Sequence, residues 1–408
     1  MFFGTAISLV RLPVFFTINY SASIFFNSKG LLKMKLIKVI SSCILFILLS
    51  SSNVTAYIGL CCAHCGGNMP LNIMGGGIPE THEYRFKISE MYMSMDGLRD
   101  GTDEKSTSEL GPSTAAGKFR GVPKSMDSYM TMLGSAYSFT DNFAGMIMGG
   151  YVRNTMSMTT TAGDYDMFSQ GLTDTKLMGK YRLYHDDNLA PTKQLSAVAG
   201  LAVPTGSITI KNTNHPTKTM RGKLLPLGMQ PGSGTWDPIF GLTFQKSADP
   251  FWMGANFMTT QRWGLNDQDY KKGSEYALDL YIMRQFNEKA LASFQLNGKA
   301  WGDYSDQPKA GKENGDCHAM LNPARDWMTP LCDPTNYGGV NLHATVGLQF
   351  QPVPLHVAEL NLSMPLYQNL KGPQMQSEYM LRLTYYLEVP TKKSRRYRGF
   401  SAPKQLGF

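Results

Sequence analysis

The feature that most constrains this chain is a ladder of roughly ten-residue segments in which apolar and polar residues alternate. Along 378–387, Tyr379, Leu381, Leu383, Tyr385 and Leu387 fall on one face, while Met380, Arg382, Thr384 and Tyr386 fall on the other. Side chains of an extended backbone alternate sides with period two, so the segment reads as a β-strand. About ten tilted residues also suffice to cross a bilayer. Strands that do so must close into a barrel, because lipid offers backbone groups no hydrogen-bond partner.

Eleven more rungs follow the same rule, at 83–93, 128–139, 142–153, 175–185, 195–203, 236–246, 251–262, 275–285, 290–301, 342–351 and 355–365, twelve in all. Short connections at Thr140-Asp141, 186–194, 247–250, 286–289 and 352–354 interleave with long ones, such as 94–127, 154–174 and 302–341. An even strand number with short turns on one side and long loops on the other predicts an all-β fold. Its form is a transmembrane antiparallel up-and-down β-barrel of about 12 strands, with both termini on the short-turn side. A soluble β-sandwich shares the period but not that alternation. Nor does it require aromatics near strand ends, where Trp236, Trp252, Trp263, Trp301 and Tyr379 suggest interfacial girdles.

The amino terminus agrees with export. Met34, Lys35 and Lys38 precede the apolar run 39–49, too short to span a membrane as a helix, and Val54-Thr55-Ala56 follows as a cleavage pattern. This predicts a signal peptide at 34–56 and a mature start at Tyr57. Residues 1–33 then read as an upstream extension from a start codon assigned too early, or as part of an unusually long signal. The remaining chain divides into a periplasmic cysteine-rich segment (57–82), the barrel (83–388) and a basic tail (389–408). Part of the net charge of +8 sits in that tail, at 392–398, so it argues for no nucleic-acid partner.

With the apolar faces on lipid, the opposite faces line a lumen. Its expected lining is Arg85, Lys87, Lys180, Arg182, Asp279, Gln295, Asn297, Lys299, Glu359, Asn361 and Arg382, with Arg382, Lys299, Asp279 and Glu359 tuning charge selectivity. Twelve strands exceed the eight-stranded barrel that side chains fill and fall short of an open porin. The expectation is a gated or selective channel for passive uptake of small, partly hydrophobic solutes; its partners are outer-membrane lipid and the solute. No catalytic cluster is recognisable, so an enzyme is not expected.

Other constellations leave alternatives open. Cys62 and Cys65, with His64 between them, have the spacing of a redox or transition-metal pair, although exported cysteines more simply form disulfides. A metal-related barrel using that segment is one alternative function; a structural or adhesive surface barrel is another. No cofactor is expected beyond such a transition metal. Cys317 and Cys332 share one long loop and are read as a disulfide. The chain's 26 methionines cluster at period two, as in Met91-Tyr92-Met93 and Met156-Ser157-Met158. Thioethers bind Cu(I), yet methionine also suits lipid-facing or greasy channel surfaces, the reading favoured here.

Pro204-Thr205-Gly206-Ser207, followed by Gly232-Ser233-Gly234-Thr235-Trp236-Asp237, resembles a paired motif of the "phenol MetA-pathway" outer-membrane transporter family. That resemblance implies a channel-like barrel over about 83–388 and transfers no catalytic residue. The cysteine-rich segment and the basic tail depart from the family pattern.

Overall fold

The computed structural model describes residues 69–394 apart from 75–78, 112–118, 188–190, 249, 288 and 306–327. The expected extension 1–33, the signal 34–56, Cys62, His64, Cys65, Cys317 and tail residues 395–408 lie outside the described residues.

Alternation along the chain builds one sheet of thirteen strands. These are β1 (Glu83–Gly101), β2 (Asp103–Lys105), β3 (Gly121–Ser138), β4 (Phe143–Thr160), β5 (Gly163–Leu172), β6 (Thr175–His185), β7 (Lys193–Val203), β8 (Asp237–Ala248), β9 (Phe251–Thr260), β10 (Glu275–Asn287), β11 (Ala290–Trp301), β12 (Gly339–Phe350) and β13 (His356–Pro390). Eleven pair as a closed antiparallel barrel, because β13 returns to β1, while β2 and β5 stand outside the ring. The 35-residue β13 makes two passes. Leu370 opposes both Gly339, where β12 begins, and Gly101, where β1 ends, so the chain must reverse just beyond it. Gly372 turns there at φ +72°, a conformation that L side chains disfavour. The wall is therefore crossed twelve times.

The outer face is apolar. Tyr84, Phe86 and Ile88 alternate outward on β1, and Leu133, Ile147, Leu242, Leu278 and Leu383 do the same on their strands. Aromatic bands bound this surface: Tyr84, Tyr137, Phe139 and Phe143 form a chain of ring contacts at the short-turn end, and Tyr92, Tyr129 and Tyr379 form another above. Tyr84 and Tyr92 stand roughly 26 Å apart along the strand, enough for the apolar band of an outer-membrane barrel. The girdle expected from tryptophans is only partly tryptophan. Trp236 and Trp263 are exposed, but Trp252 packs on an interior cluster and Trp301 lines the lumen.

Two of the connections expected to be long loops are strand. β4 continues to Thr160, turns at 161–162, and returns as β5, which runs into β6 after a break at Thr173-Asp174. Residues 366–377 similarly belong mostly to the β13 hairpin. In the β4–β5 extension the polarity of the faces inverts. Met156, Met158 and Met167 are buried, whereas Thr159, Asp164 and Asp166 take the outer face and join in hydrogen bonds there. Outside lipid the dry side of a strand is the inner one.

Candidate functional site

The barrel interior is built in three levels. At the short-turn end the inward positions of the strands carry buried charge: Arg85 pairs with Glu388 at 2.5 Å, its guanidinium 4.5 Å above the Tyr386 ring. Lys180 and Arg182 are buried at the same end of the wall, on β6. Ions this far from water hold their charge only where geometry supplies partners, so this collar is fixed rather than mobile.

Above the collar, residues 69–74 cross the lumen as a floor. Their backbone is bound by side chains of β1, β9, β12 and β13. Glu359 accepts from Leu71 N at 3.0 Å, Lys87 donates to Leu71 O at 2.5 Å, and Arg382 donates to Asn72 O at 2.9 Å. Gln349 donates to Met69 O and Asn256 to Met74 O, at 3.2 and 3.3 Å. Gln295 and Asn72 exchange amide bonds of 2.9 and 3.0 Å. Met69 and Ile73 complete the floor by packing on Tyr281, Met283, Leu291, Val357 and Tyr386. Charge-assisted bonds in a shielded place are the stronger ones, so the seat is specific.

Over the floor lies a chamber of about 560 Å³ between β1 and β10–β13. One side is polar. Glu275 is shared by Lys299 at 2.8 Å and Arg262 at 2.9 Å, and Asp279 accepts from Asn297 at 2.8 Å and Asn256 at 3.2 Å. The opposite side is thioether: Met91, Met93, Met95, Met375 and Met380. Trp301, Tyr304 and Tyr337 add aromatic surface, the two tyrosines stacked 4.2 Å apart.

The outer mouth beside β3–β5 is filled by the connection between β7 and β8. Leu225 and Met229 pack with Met126, Met156, Met158, Met167 and Leu331. Both ends of this connection are clamped where the Pro-Thr-Gly-Ser and Gly-Ser-Gly-Thr sequences meet. Asp174 accepts from Gly206 N at 3.1 Å and Ser233 N at 2.8 Å. A Cβ on Gly206 would lie 2.5 Å from Gly232 Cα, so only glycine allows the backbones to cross. Asp237, fully buried, accepts from Thr235 and Ser233 at 2.7 and 2.9 Å and is bridged to Arg262. The motif thus holds the cap.

The expected lining residues divide among these levels. Asp279, Asn297, Lys299, Asn361 and Arg382 border the chamber. Lys87, Gln295 and Glu359 bind the floor, while Arg85, Lys180 and Arg182 are buried in the collar. Cys332 is buried and disulfide-bonded. Two functional parts carried no usable sequence signal. The floor is recognised through its backbone, which leaves no trace in residue type. The chamber's methionines did alternate, but their pattern reads equally well as lipid-facing. The structure decides this: among the described residues the large apolar side chains most exposed are Leu, Ile, Val, Phe, Tyr and Trp, and no methionine is among them.

No protein-family model matches the chain, and no curated protein matches it in sequence. Among solved structures, the COG4313 outer membrane channel from Pseudomonas putida F1 is similar with a TM-score of 0.50 at 11% identity, over 78% of this chain and 100% of that one. The transport unit of the autotransporter AIDA-I from Escherichia coli gives a TM-score of 0.40 at 11% identity over 78% and 93%. The CymD monoaromatic hydrocarbon channel gives 0.36 at 7% over 76% and 90%. The fold is that of outer-membrane β-barrels.

Proposed function

We propose that the protein is an outer-membrane channel that passes small, partly apolar solutes by diffusion through its lumen. The observation that carries this reading is the two-sided chamber, thioether and aromatic on one wall and polar on the other, set between a backbone-bound floor and a packed cap. A pliable methionine surface fits apolar bodies of varied shape, while the polar wall keeps the route wet. The paired glycine motif, with its resemblance to phenol-pathway barrels, supports aromatic solutes in particular. Export through a cleaved signal and residence in the outer membrane belong to the same reading.

Proteoliposome flux tests it. Vesicles carrying the protein should release trapped phenyl glucoside, which crosses lipid poorly, several-fold faster than empty vesicles, and should retain a disaccharide of similar size better. Equal rates with and without protein for every solute would remove the channel reading.

A further inference from the structure

Arg382 is the chamber cation that meets the thioether wall. One terminal nitrogen donates to Asn72 O at 2.9 Å, and the other faces two sulfurs, Met91 Sδ at 3.1 Å and Met380 Sδ at 3.8 Å. Its Nε is buried with no hydrogen-bond partner. Among the described residues no carboxylate lies within ion-pair distance of it, and Glu359 and Asp279 act on it only through space. A buried donor left without an acceptor costs roughly 1–3 kcal/mol, more when it is charged, so such a group marks a place where an acceptor is wanted.

The chamber's charge points the same way. Lys272, Lys299 and Arg382 face two carboxyl groups, Glu275 and Asp279, an excess of one positive charge. Glu275 is also held by Arg262, which leaves Lys299 less than fully compensated. The methionines beside Arg382 already meet its guanidinium, which would repel a soft metal cation from the same sulfurs. Sulfur near an aromatic ring edge is instead a favourable contact.

We propose that the chamber binds a small aromatic monoanion, with its carboxylate or phenolate oxygen on Arg382 and its ring among Met91, Met93 and Met380. This rests on reading the lumen as a solute route and names the class of solute that the route selects. The bound anion would displace the two sulfurs from their terminal nitrogen, turn the guanidinium so that Nε is also satisfied, and compete with the Asn72 carbonyl, so binding and release of the floor draw on one residue.

Calorimetric titration of the full-length protein in amphipol, with benzoate, benzyl alcohol and benzylamine as probes, tests the site. Benzoate should bind at least tenfold more tightly than the other two. Arg382→Gln, checked for folding by heat-modifiable gel migration, should erase that preference. Asp279→Asn, which removes a competing negative charge and leaves Arg382 in place, should tighten benzoate about threefold, so the inference can fail even if the arginine variant does not fold. Equal affinity for benzoate and benzyl alcohol, no benzoate binding, or a preference that survives Arg382→Gln in folded protein would overturn it. Phenyl glucoside flux without benzoate preference would leave the channel standing and remove the anion site; benzoate binding without flux of any solute would do the reverse.

Discussion

At the scale of single residues, two kinds of position govern the interior: glycines that permit contact, and charges that hold segments in place. Gly206→Ala would drive a methyl group into Gly232, at an overpacking cost of about 1–3 kcal/mol. The cap should then loosen, read as faster tryptic cleavage at Lys211, Lys218 and Arg221 with the barrel still folded. Asp237→Asn breaks a buried ion pair, and Arg262 retains Glu275, so the loss should fall near the low end of the usual range, about 3 kcal/mol, measured by urea unfolding. Lys272 lies outside the strands, and burial, with Arg262 nearby, pushes its ammonium down to about 8. Glu275, Asp174 and Asp237 face it as well and oppose that fall. Above that pH the chamber loses one cation, so benzoate binding should weaken roughly threefold between pH 7 and 9, as expected for one screened charge at a distance.

At the scale of elements, the wall follows one rule within lipid and its opposite beyond. Leu133, 60% exposed, faces outward midway between the two aromatic bands, paired with Ile88. Leu133→Arg should therefore cost ~2–4 kcal/mol of folding stability in liposomes. The same face above the rim, at Thr159, should accept charge without measurable loss. The short turn after β6 is fixed by Asp186, which accepts from Thr192 N at 2.8 Å and Lys193 N at 2.9 Å. Hydrogen bonds from the Thr192 hydroxyl and the Lys193 amide hold its carboxyl down at about 2. A depressed carboxyl stabilises the fold above the unfolded value near 3.9 and loses that advantage as pH falls through 2. Asp186→Asn should thus weaken the turn at pH 7, seen as faster hydrogen exchange at Thr192 and Lys193, and match the native protein below pH 2. The bilayer-crossing parts of the strands were legible because lipid imposes an apolar outward face. The β4–β5 extension was not, since Met156-Ser157-Met158 alternates with the faces exchanged and polar outward residues resemble a loop.

At the scale of the whole molecule, two kinds of apolar residue are sorted across the wall. Leucine, isoleucine and aromatic rings dominate the lipid face, and most methionines of the strands turn inward, although Met253 and Met364 share the outward face with Phe257 and Leu360. Strand number, closure and the sides of the turns could be read from the chain because period two and connection length are properties of sequence. The floor could not, because Lys87, Gln349, Asn256 and Arg382 hold main-chain carbonyls that every residue offers. Five of the expected lining residues border the chamber, and the others support the structure beneath it. On the proposed reading the lumen is the solute route, and residues 69–74 narrow it at the short-turn side. Planar-bilayer recording of the intact protein beside a variant lacking 69–74 tests this most directly. A small ion conductance is expected in the intact protein, and stable open channels, at least severalfold larger, in the variant. Equal conductance in the two, with both barrels folded, would contradict it.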